Sequence, residues 1–135
     1  MMKPAILVID DEVEVGNFLE YYFRVERGYQ VAVANSGREA IALLKKKKFD
    51  LAMVDLKLPD TDGITLLKMI MEVNPVCKVI IMTGYSTVKT AVEAMKLGAF
   101  DYVDKPFKDL DELDEIIDCA VNQIFYKKSI ANEEI

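Results

Sequence analysis

Five short, continuous apolar runs alternate along this chain with segments whose apolar residues recur at helical spacing. The runs cover residues 5–9, 29–34, 51–54, 79–82 and 102–103. Runs of this kind, without polar interruptions, are typical of strands that are buried on both faces. Five such strands alternating with five helices predict an α/β fold, a doubly wound parallel sheet with helices on both faces.

The predicted helices have recognisable ends. The clearest start is Ser36, because Glu39 follows three residues later, which is the spacing of a capping box. The first helix is expected to stop near Gly28, since glycine suits the left-handed turn after a helix. The fourth helix is expected to begin near Ser86. The fifth carries apolar residues at helical spacing over residues 113–124.

Composition limits the functions that remain open. The 135 residues are 52% hydrophobic and 30% charged, as expected for one globular domain. A net charge of −6 repels phosphate backbones, so we expect this chain to make no direct contact with nucleic acid. The chain contains no histidine, which excludes Ser-His-Asp triads, Cys-His pairs, imidazole metal sites and a histidine phosphodonor within it.

Location and redox state are also indicated. No apolar run approaches membrane-spanning length, so no membrane association is expected. The two cysteines, Cys77 and Cys119, lack CxxC spacing, and we expect both to be small buried side chains in a reduced, cytoplasmic protein.

Acidic residues collect at the predicted carboxyl ends of the strands. Asp10 and Asp11 follow the first strand and Asp55 follows the third. In a doubly wound sheet these ends share one crevice, where ligands bind. Neighbouring carboxylates repel, and either a bound cation or protonation of one of them relieves that repulsion. Oxygen-only ligands favour a hard ion, so the sequence predicts a Mg²⁺ site at this edge.

Two further side chains predict phosphoryl transfer at the same edge. Thr83 ends the fourth strand and Lys105 follows the fifth. A lysine and a divalent ion together neutralise charge on transferred phosphoryl oxygens. Asp55, alone at the end of the central strand, is the candidate acceptor, since a carboxylate can form an aspartyl phosphate.

The chain closely resembles the receiver domain of two-component response regulators. The resemblance rests on residues 6–12, 55–60, 62–63, 82–84 and 102–107, which read ILVIDDE, DLKLPD, DG, MTG and YVDKPF. These segments occur in the family's order and spacing, from about residue 4 to about residue 125. Residues 84–91 and 94–99 resemble most the receivers of nitrogen-regulation-type transcriptional activators.

The resemblance implies a reaction. Asp55 would accept a phosphoryl group from a histidine kinase. Asp10 and Asp11 would hold Mg²⁺ together with Asp55 and the backbone carbonyl of Lys57, and Lys105 would pair with the phosphoryl oxygens. The chain would then be a switch that catalyses its own phosphorylation and dephosphorylation rather than an enzyme acting on other substrates.

The resemblance also implies a switch and a topology. Thr83 would bond to the phosphoryl group and Tyr102 would turn inward, reshaping the face made by helix four, strand five and helix five. Strand order 2-1-3-4-5, as in flavodoxin-like folds, and a cis Lys105–Pro106 bond are expected on the same basis. Lys57 and Tyr85, at variable family positions, are expected to tune hydrolysis.

We expect the receiver domain to cover residues 3–126. Residues 127–135 are a tail, for which an extension of helix five into an output domain, a dimer-forming segment and a frayed terminus all stay open. The implied partners are the kinase and an output domain or downstream protein, and a dimer-forming tail would add a second copy of the chain. Transcription regulation is the expected setting.

Two other functions fit the same architecture less well. An aspartyl-phosphate phosphatase requires the pattern Asp-x-Asp after strand one, whereas here Asp10 is followed by Asp11 and then Glu12. A flavin carrier requires a hydroxyl-rich phosphate-binding loop after strand one, which this sequence lacks. Acidic residues after a strand are commonly solvated loop residues, and we expect that of Glu12, Asp60 and Asp62.

Overall fold

A computed structural model describes residues 3–84 and 88–133. The strands are Ala5–Ile9 (β1), Gln30–Ala34 (β2), Leu51–Asp55 (β3), Lys78–Thr83 (β4) and Asp101–Asp104 (β5). The α-helices are Val13–Tyr21 (α1), Gly37–Lys46 (α2), Gly63–Val73 (α3), Val88–Lys96 (α4) and Leu110–Glu133 (α5).

All neighbouring strands pair in parallel, in the order β2-β1-β3-β4-β5. This order confirms the predicted doubly wound topology. Successive side chains of a strand point to opposite faces of the sheet, so β1 contributes residues to two hydrophobic cores. Leu7 and Ile9 belong to the core that includes α2, α3 and α4. Ile6 and Val8 belong to the core that includes α1 and α5.

Burial follows the position of each strand in the sheet. Every residue of β1 and β3 is buried, because these strands have neighbours on both sides and helices above and below. The edge strands differ from the prediction of burial on both faces. In β2 only Ala34 is buried, and in β5 only Val103. An edge strand has a single neighbour, so part of its surface faces solvent.

The helix ends agree with the sequence signals in most places. At the start of α2 the Ser36 Oγ accepts the backbone N–H of Glu39 at 3.1 Å. The turns after the first and fourth helices contain Gly28 and Gly98 at φ of 71° and 105°, where a side chain would be strained. The expected start of the fourth helix near Ser86 lies outside the described residues.

Two expectations about single residues have different outcomes. Cys77 is buried, as predicted. Cys119 is exposed, so the prediction of burial is wrong there. It lies on α5 one position before Ala120, which faces the core, and successive residues of a helix point in different directions.

An unpredicted cluster joins the end of α1 to α5. A π-helical turn, Tyr22–Glu26, follows α1 directly. The Tyr22 hydroxyl donates to Asp114, and Arg27 Nε donates to that hydroxyl at 2.9 Å. Arg27 also pairs with Asp114 and Asp118 at 3.2 and 2.7 Å. Because these partners lie about 90 positions apart in the chain, no local pattern could have indicated the cluster.

The fifth helix continues past the segment expected to close the domain. Its backbone runs to Glu133, through most of residues 127–135. No helix in the described part of the chain combines the length and apolar character needed to cross a bilayer.

The Arg27 cluster generates a stability prediction. Replacing Arg27 by Met keeps an apolar stem but leaves Asp114 and the partly buried Tyr22 hydroxyl without their cation. We expect urea unfolding to show a loss of about 1–3 kcal/mol. The control is Arg24→Met, which removes an exposed ion pair with Glu20 at 3.1 Å and should lose less than about 0.5 kcal/mol. Equal losses would show that the contacts of Arg27 with α5 do not stabilise the fold more than an exposed ion pair does.

Candidate functional site

Strand register places two carboxylates side by side. In the β1–β3 ladder Ile9 is opposite Val54, so the next residues, Asp10 and Asp55, reach the carboxyl edge of the sheet together. Asp10 is fully buried and Asp55 is 5% exposed. The core strands therefore carry both acidic side chains into an interior position.

A third carboxylate completes a possible cation site. Oxygens of Asp10, Asp11 and Asp55 all lie within 4.8 Å of one another, and Asp11 is exposed. Oxygen donors alone, with one side open to solvent, fit a hard divalent ion that keeps some of its water, as Mg²⁺ does. These residues are the three acidic metal ligands that the sequence predicts.

Lys105 reaches into this cluster from the loop after β5. Its Nζ lies 2.9 Å from Asp10 Oδ2 and 3.4 Å from Asp55 Oδ2. Its backbone N–H donates to the carbonyl of Thr83 at 2.8 Å, which fixes the loop to the end of β4. The following Lys105–Pro106 bond is cis, as expected.

Glu12 is part of the same cluster, although the sequence indicates a solvated residue. Its Oε1 lies 3.0 Å from Lys105 Nζ. The backbone N–H of Glu12 donates to Asp10 Oδ1 at 2.9 Å, a local turn that brings the two acidic side chains to one lysine. The only sequence signal is the position of Glu12 two residues after Asp10.

Asp60 and Asp62 are exposed, as predicted, and each also accepts hydrogen bonds that the sequence does not indicate. Asp60 accepts the backbone N–H groups of Gly37 and Arg38, each at 2.9 Å, which ties the loop after β3 to the start of α2. Asp62 accepts the Thr65 N–H at 2.8 Å and so caps α3. These N–H groups lower the pKa of each carboxyl.

The loop after Asp55 is held closely against the strand. A Cβ on Gly63 would lie 2.6 Å from the Asp55 carbonyl oxygen and 2.8 Å from Leu56 Cα, so the approach requires glycine. The Lys57 backbone pairs with Asp62 across this loop, and its N–H lies 3.4 Å from Asp55 Oδ1. The backbone of Lys57 is thereby positioned next to the acidic cluster.

The two residues expected to act as a switch face one small cavity. Thr83, at the end of β4, is buried, whereas Tyr102 on β5 is 39% exposed. Both line a cavity of about 10 Å³ beside α4, together with Thr90 and Ala91. This volume holds one water at most, so a tyrosine ring enters only if the lining residues move.

Burial and charge perturb the acid–base chemistry. Burial and, to a lesser extent, the negative charge of Asp10 raise the pKa of Asp55 to about 6, while Lys105 acts in the opposite direction. Burial alone would lower the pKa of Lys105, but its hydrogen bonds to Asp10 and Glu12 outweigh that effect and raise it. The cluster thus places a protonated lysine beside a carboxyl group that ionises less readily than an exposed aspartate.

Comparison with known proteins identifies the family. The family model of the response regulator receiver domain matches residues 6–118. The chain belongs to this family. Receiver domains bind Mg²⁺ at an acidic pocket and work with histidine kinases and output domains, and the structure of this chain has an acidic cluster of Asp10, Asp11 and Asp55.

Individual relatives agree with this assignment. The chain is 45% identical over 119 residues to the transcriptional regulatory protein ZraR of Salmonella typhimurium, covering 88% of the chain and 26% of ZraR. It is 33% identical over 135 residues to the DNA-binding transcriptional regulator NtrC of the same organism, covering 100% of the chain and 28% of NtrC. A solved receiver domain protein from Methanospirillum hungatei has a TM-score of 0.82 at 31% identity, covering 90% of the chain and 97% of that protein.

These matches confirm the resemblance to nitrogen-regulation-type receivers. They do not favour the aspartyl-phosphate phosphatase alternative, and a receiver domain is not a classic enzyme. The chain spans about a quarter of the length of ZraR and NtrC. Tyr85, expected to tune hydrolysis, lies outside the described residues.

The raised pKa of Asp55 predicts how stability depends on pH without divalent ions. The ordinary pKa of 3.8 applies to the unfolded chain and about 6 to the folded one, so the folded state holds the proton more tightly. Stability contributed by this proton is present below pH 4 and is lost as the pH rises to about 6. The variant Asp55→Asn has no such loss, so its advantage over the parent should grow by about 1–3 kcal/mol between pH 4 and pH 7.

Urea unfolding at several pH values measures this difference. Glu115→Gln, which neutralises an exposed carboxylate on α5, is the matched control and should keep the pH dependence of the parent. An advantage of Asp55→Asn that is constant across this range would contradict the account of Asp55.

Proposed function

We propose that Asp55 accepts a phosphoryl group from a histidine kinase in a Mg²⁺-dependent reaction, and that the modified domain controls an output domain or downstream protein in transcription regulation. The observation that supports this most strongly is the meeting of Asp10, Asp11 and Asp55 with the Lys105 ammonium at one edge of the sheet.

The chemistry assigns a role to each group. An Asp55 carboxylate oxygen attacks phosphorus, the new O–P bond forms, and the bond from phosphorus to the donor breaks, so the donor leaves with that electron pair. Lys105 stabilises charge on the transferred oxygens. Asp10 and Asp11 would hold Mg²⁺ with Asp55 and the Lys57 carbonyl, and the ion would supply further charge neutralisation.

The same groups support self-catalysis. The acceptor, the cation site and the lysine all belong to this chain, so a small phosphodonor can replace the kinase. Hydrolysis uses the same neutralisation, with water attacking phosphorus and Asp55 leaving as carboxylate. Lys57, exposed beside the acceptor, tunes the rate of hydrolysis.

Thr83 and Tyr102 carry the signal away from the acceptor. In this proposal the Thr83 hydroxyl donates a hydrogen bond to the phosphoryl group. The movement of Thr83 enlarges the small cavity beside α4, and the Tyr102 ring then turns inward. The α4–β5–α5 face is then reshaped. Activation is a population shift, in which the phosphoryl group favours one arrangement by a few kcal/mol, about 2–5 kcal/mol for an effective switch.

The chain fits a receiver module within a longer cytoplasmic regulator. We assign residues 3–126 to the receiver domain and residues 127–135 to an extension of α5 that leads toward an output domain or a second copy. NtrC is a DNA-binding transcriptional regulator of which this chain matches 28%. The net charge of −6 supports DNA contacts being made outside the receiver domain.

A small phosphodonor tests the acceptor directly. With acetyl phosphate and Mg²⁺, intact-protein mass spectrometry should show the gain of one phosphoryl group, and chelation of the metal should abolish it. Asp55→Asn should show no gain, whereas Asp111→Asn, which changes an exposed residue at the start of α5, should behave like the parent. A gain that persists in Asp55→Asn would reject Asp55 as acceptor.

A further inference from the structure

We propose that Glu12 competes with the phosphoryl group for Lys105 and so sets how readily the domain enters its phosphorylated state. The inference rests on the proposed phosphorylation of Asp55 and adds a control element to the same site. Glu12 acts through Lys105 and is a positioning residue.

The geometry shows that Lys105 is already engaged in the unmodified domain. A lysine has three N–H donors. Two of them are directed at Asp10 Oδ2 and Glu12 Oε1, at 2.9 and 3.0 Å, while Asp55 Oδ2 lies farther away at 3.4 Å. The two shortest contacts of the ammonium are therefore with the carboxylates of the first loop, and its ion pair with the acceptor is the longest of the three.

Burial distinguishes the partners of Lys105. The Asp10 side chain is fully buried and that of Asp55 is 7% exposed, so neither can leave the ammonium without an unpaired charge in the interior. The Glu12 side chain is 62% exposed. The Glu12 carboxylate can rotate toward the solvent and be hydrated there. Breaking its ion pair with Lys105 therefore costs the least of the three.

A phosphoryl group on Asp55 increases the negative charge next to the Lys105 ammonium. It brings about two negative charges, in place of one, to the side of Lys105 that faces the acceptor. Like charges around one ammonium disfavour each other, so stronger pairing with the phosphoryl oxygens weakens pairing with Glu12. Removing the Glu12 carboxylate should therefore favour the phosphorylated form.

Binding of beryllofluoride with Mg²⁺ measures this competition at equilibrium. The ion coordinates a carboxylate oxygen and mimics a phosphoryl group, and fluorine NMR reports the bound fraction. Glu12→Gln should bind it about three- to fivefold more tightly than the parent, as expected for loss of one half-exposed competing pair.

Two matched variants separate contact from general charge. Glu14→Gln removes the same charge from the exposed first turn of α1, and Glu14 is not among the ion-pair partners of Lys105 in the described residues; it should stay within about 1.5-fold of the parent. Glu12→Asp keeps the charge but shortens the reach by one methylene group. It should bind the probe more tightly than the parent.

The outcomes distinguish the role of Glu12 from the proposed phosphorylation of Asp55. A parent that fails to bind beryllofluoride would overturn both. If the parent binds, equal affinities for the parent and Glu12→Gln, or weaker binding by Glu12→Gln, would overturn the role of Glu12 alone. Equal gains in Glu12→Gln and Glu14→Gln, or a Glu12→Asp variant that matches the parent, would reduce the effect to general charge and would also overturn it.

Discussion

The burial of Asp10 and Asp55 side by side against one lysine is the constraint on which the rest of this domain depends. Parallel pairing of β1 and β3 produces it, because the strands end in register and their next residues are both acidic. Asp10, Asp55 and Glu12 pair with the Lys105 ammonium, and Asp11 lies beside Asp10 and Asp55. Burial and the charge of Asp10 raise the pKa of Asp55, and the gathered carboxylates form a group of oxygen ligands that could hold a divalent cation. The proposed metal binding and the proposed reactivity thus have one origin, a cluster of carboxylates and one lysine at the end of an apolar sheet.

The surrounding structure keeps that cluster in place. Gly63 lets the loop after β3 return to within contact of the Asp55 backbone. Asp60 ties this loop to α2, and the Thr83 carbonyl ties Lys105 to β4. Each tie uses backbone N–H groups, whose direction is set by the fold, so the acidic side chains stay close despite their repulsion. The exposed members, Asp11 and Glu12, leave one side of the cluster open to a cation and a phosphodonor.

The features of the fold and the site that depend on strand ends and on local sequence signals could be predicted from the sequence. The five strands and the gathering of Asp10, Asp55 and Lys105 agree with the structure, because buried strands are visible as apolar runs and their carboxyl ends share an edge. The strand order also agrees, but it is expected from the family resemblance and not from the runs. Contacts made between distant segments are not visible in that way. The partners of Glu12 and Asp60, and the Arg27 cluster with α5, arise only once the chain is folded. The partial exposure of β2 and β5 likewise follows from their place at the edges and not from their composition.

Stabilisation by Mg²⁺ tests the central claim most directly, because the cluster exists only in the folded chain and a cation that binds it must favour folding. The melting temperature of the parent should rise as Mg²⁺ is added, and that of Asp11→Ala should rise much less. Glu14→Ala, which removes an exposed acidic residue from the next helix, should respond like the parent. Equal rises in the parent and Asp11→Ala, or no rise in either, would contradict the account of a cation site built from Asp10, Asp11 and Asp55.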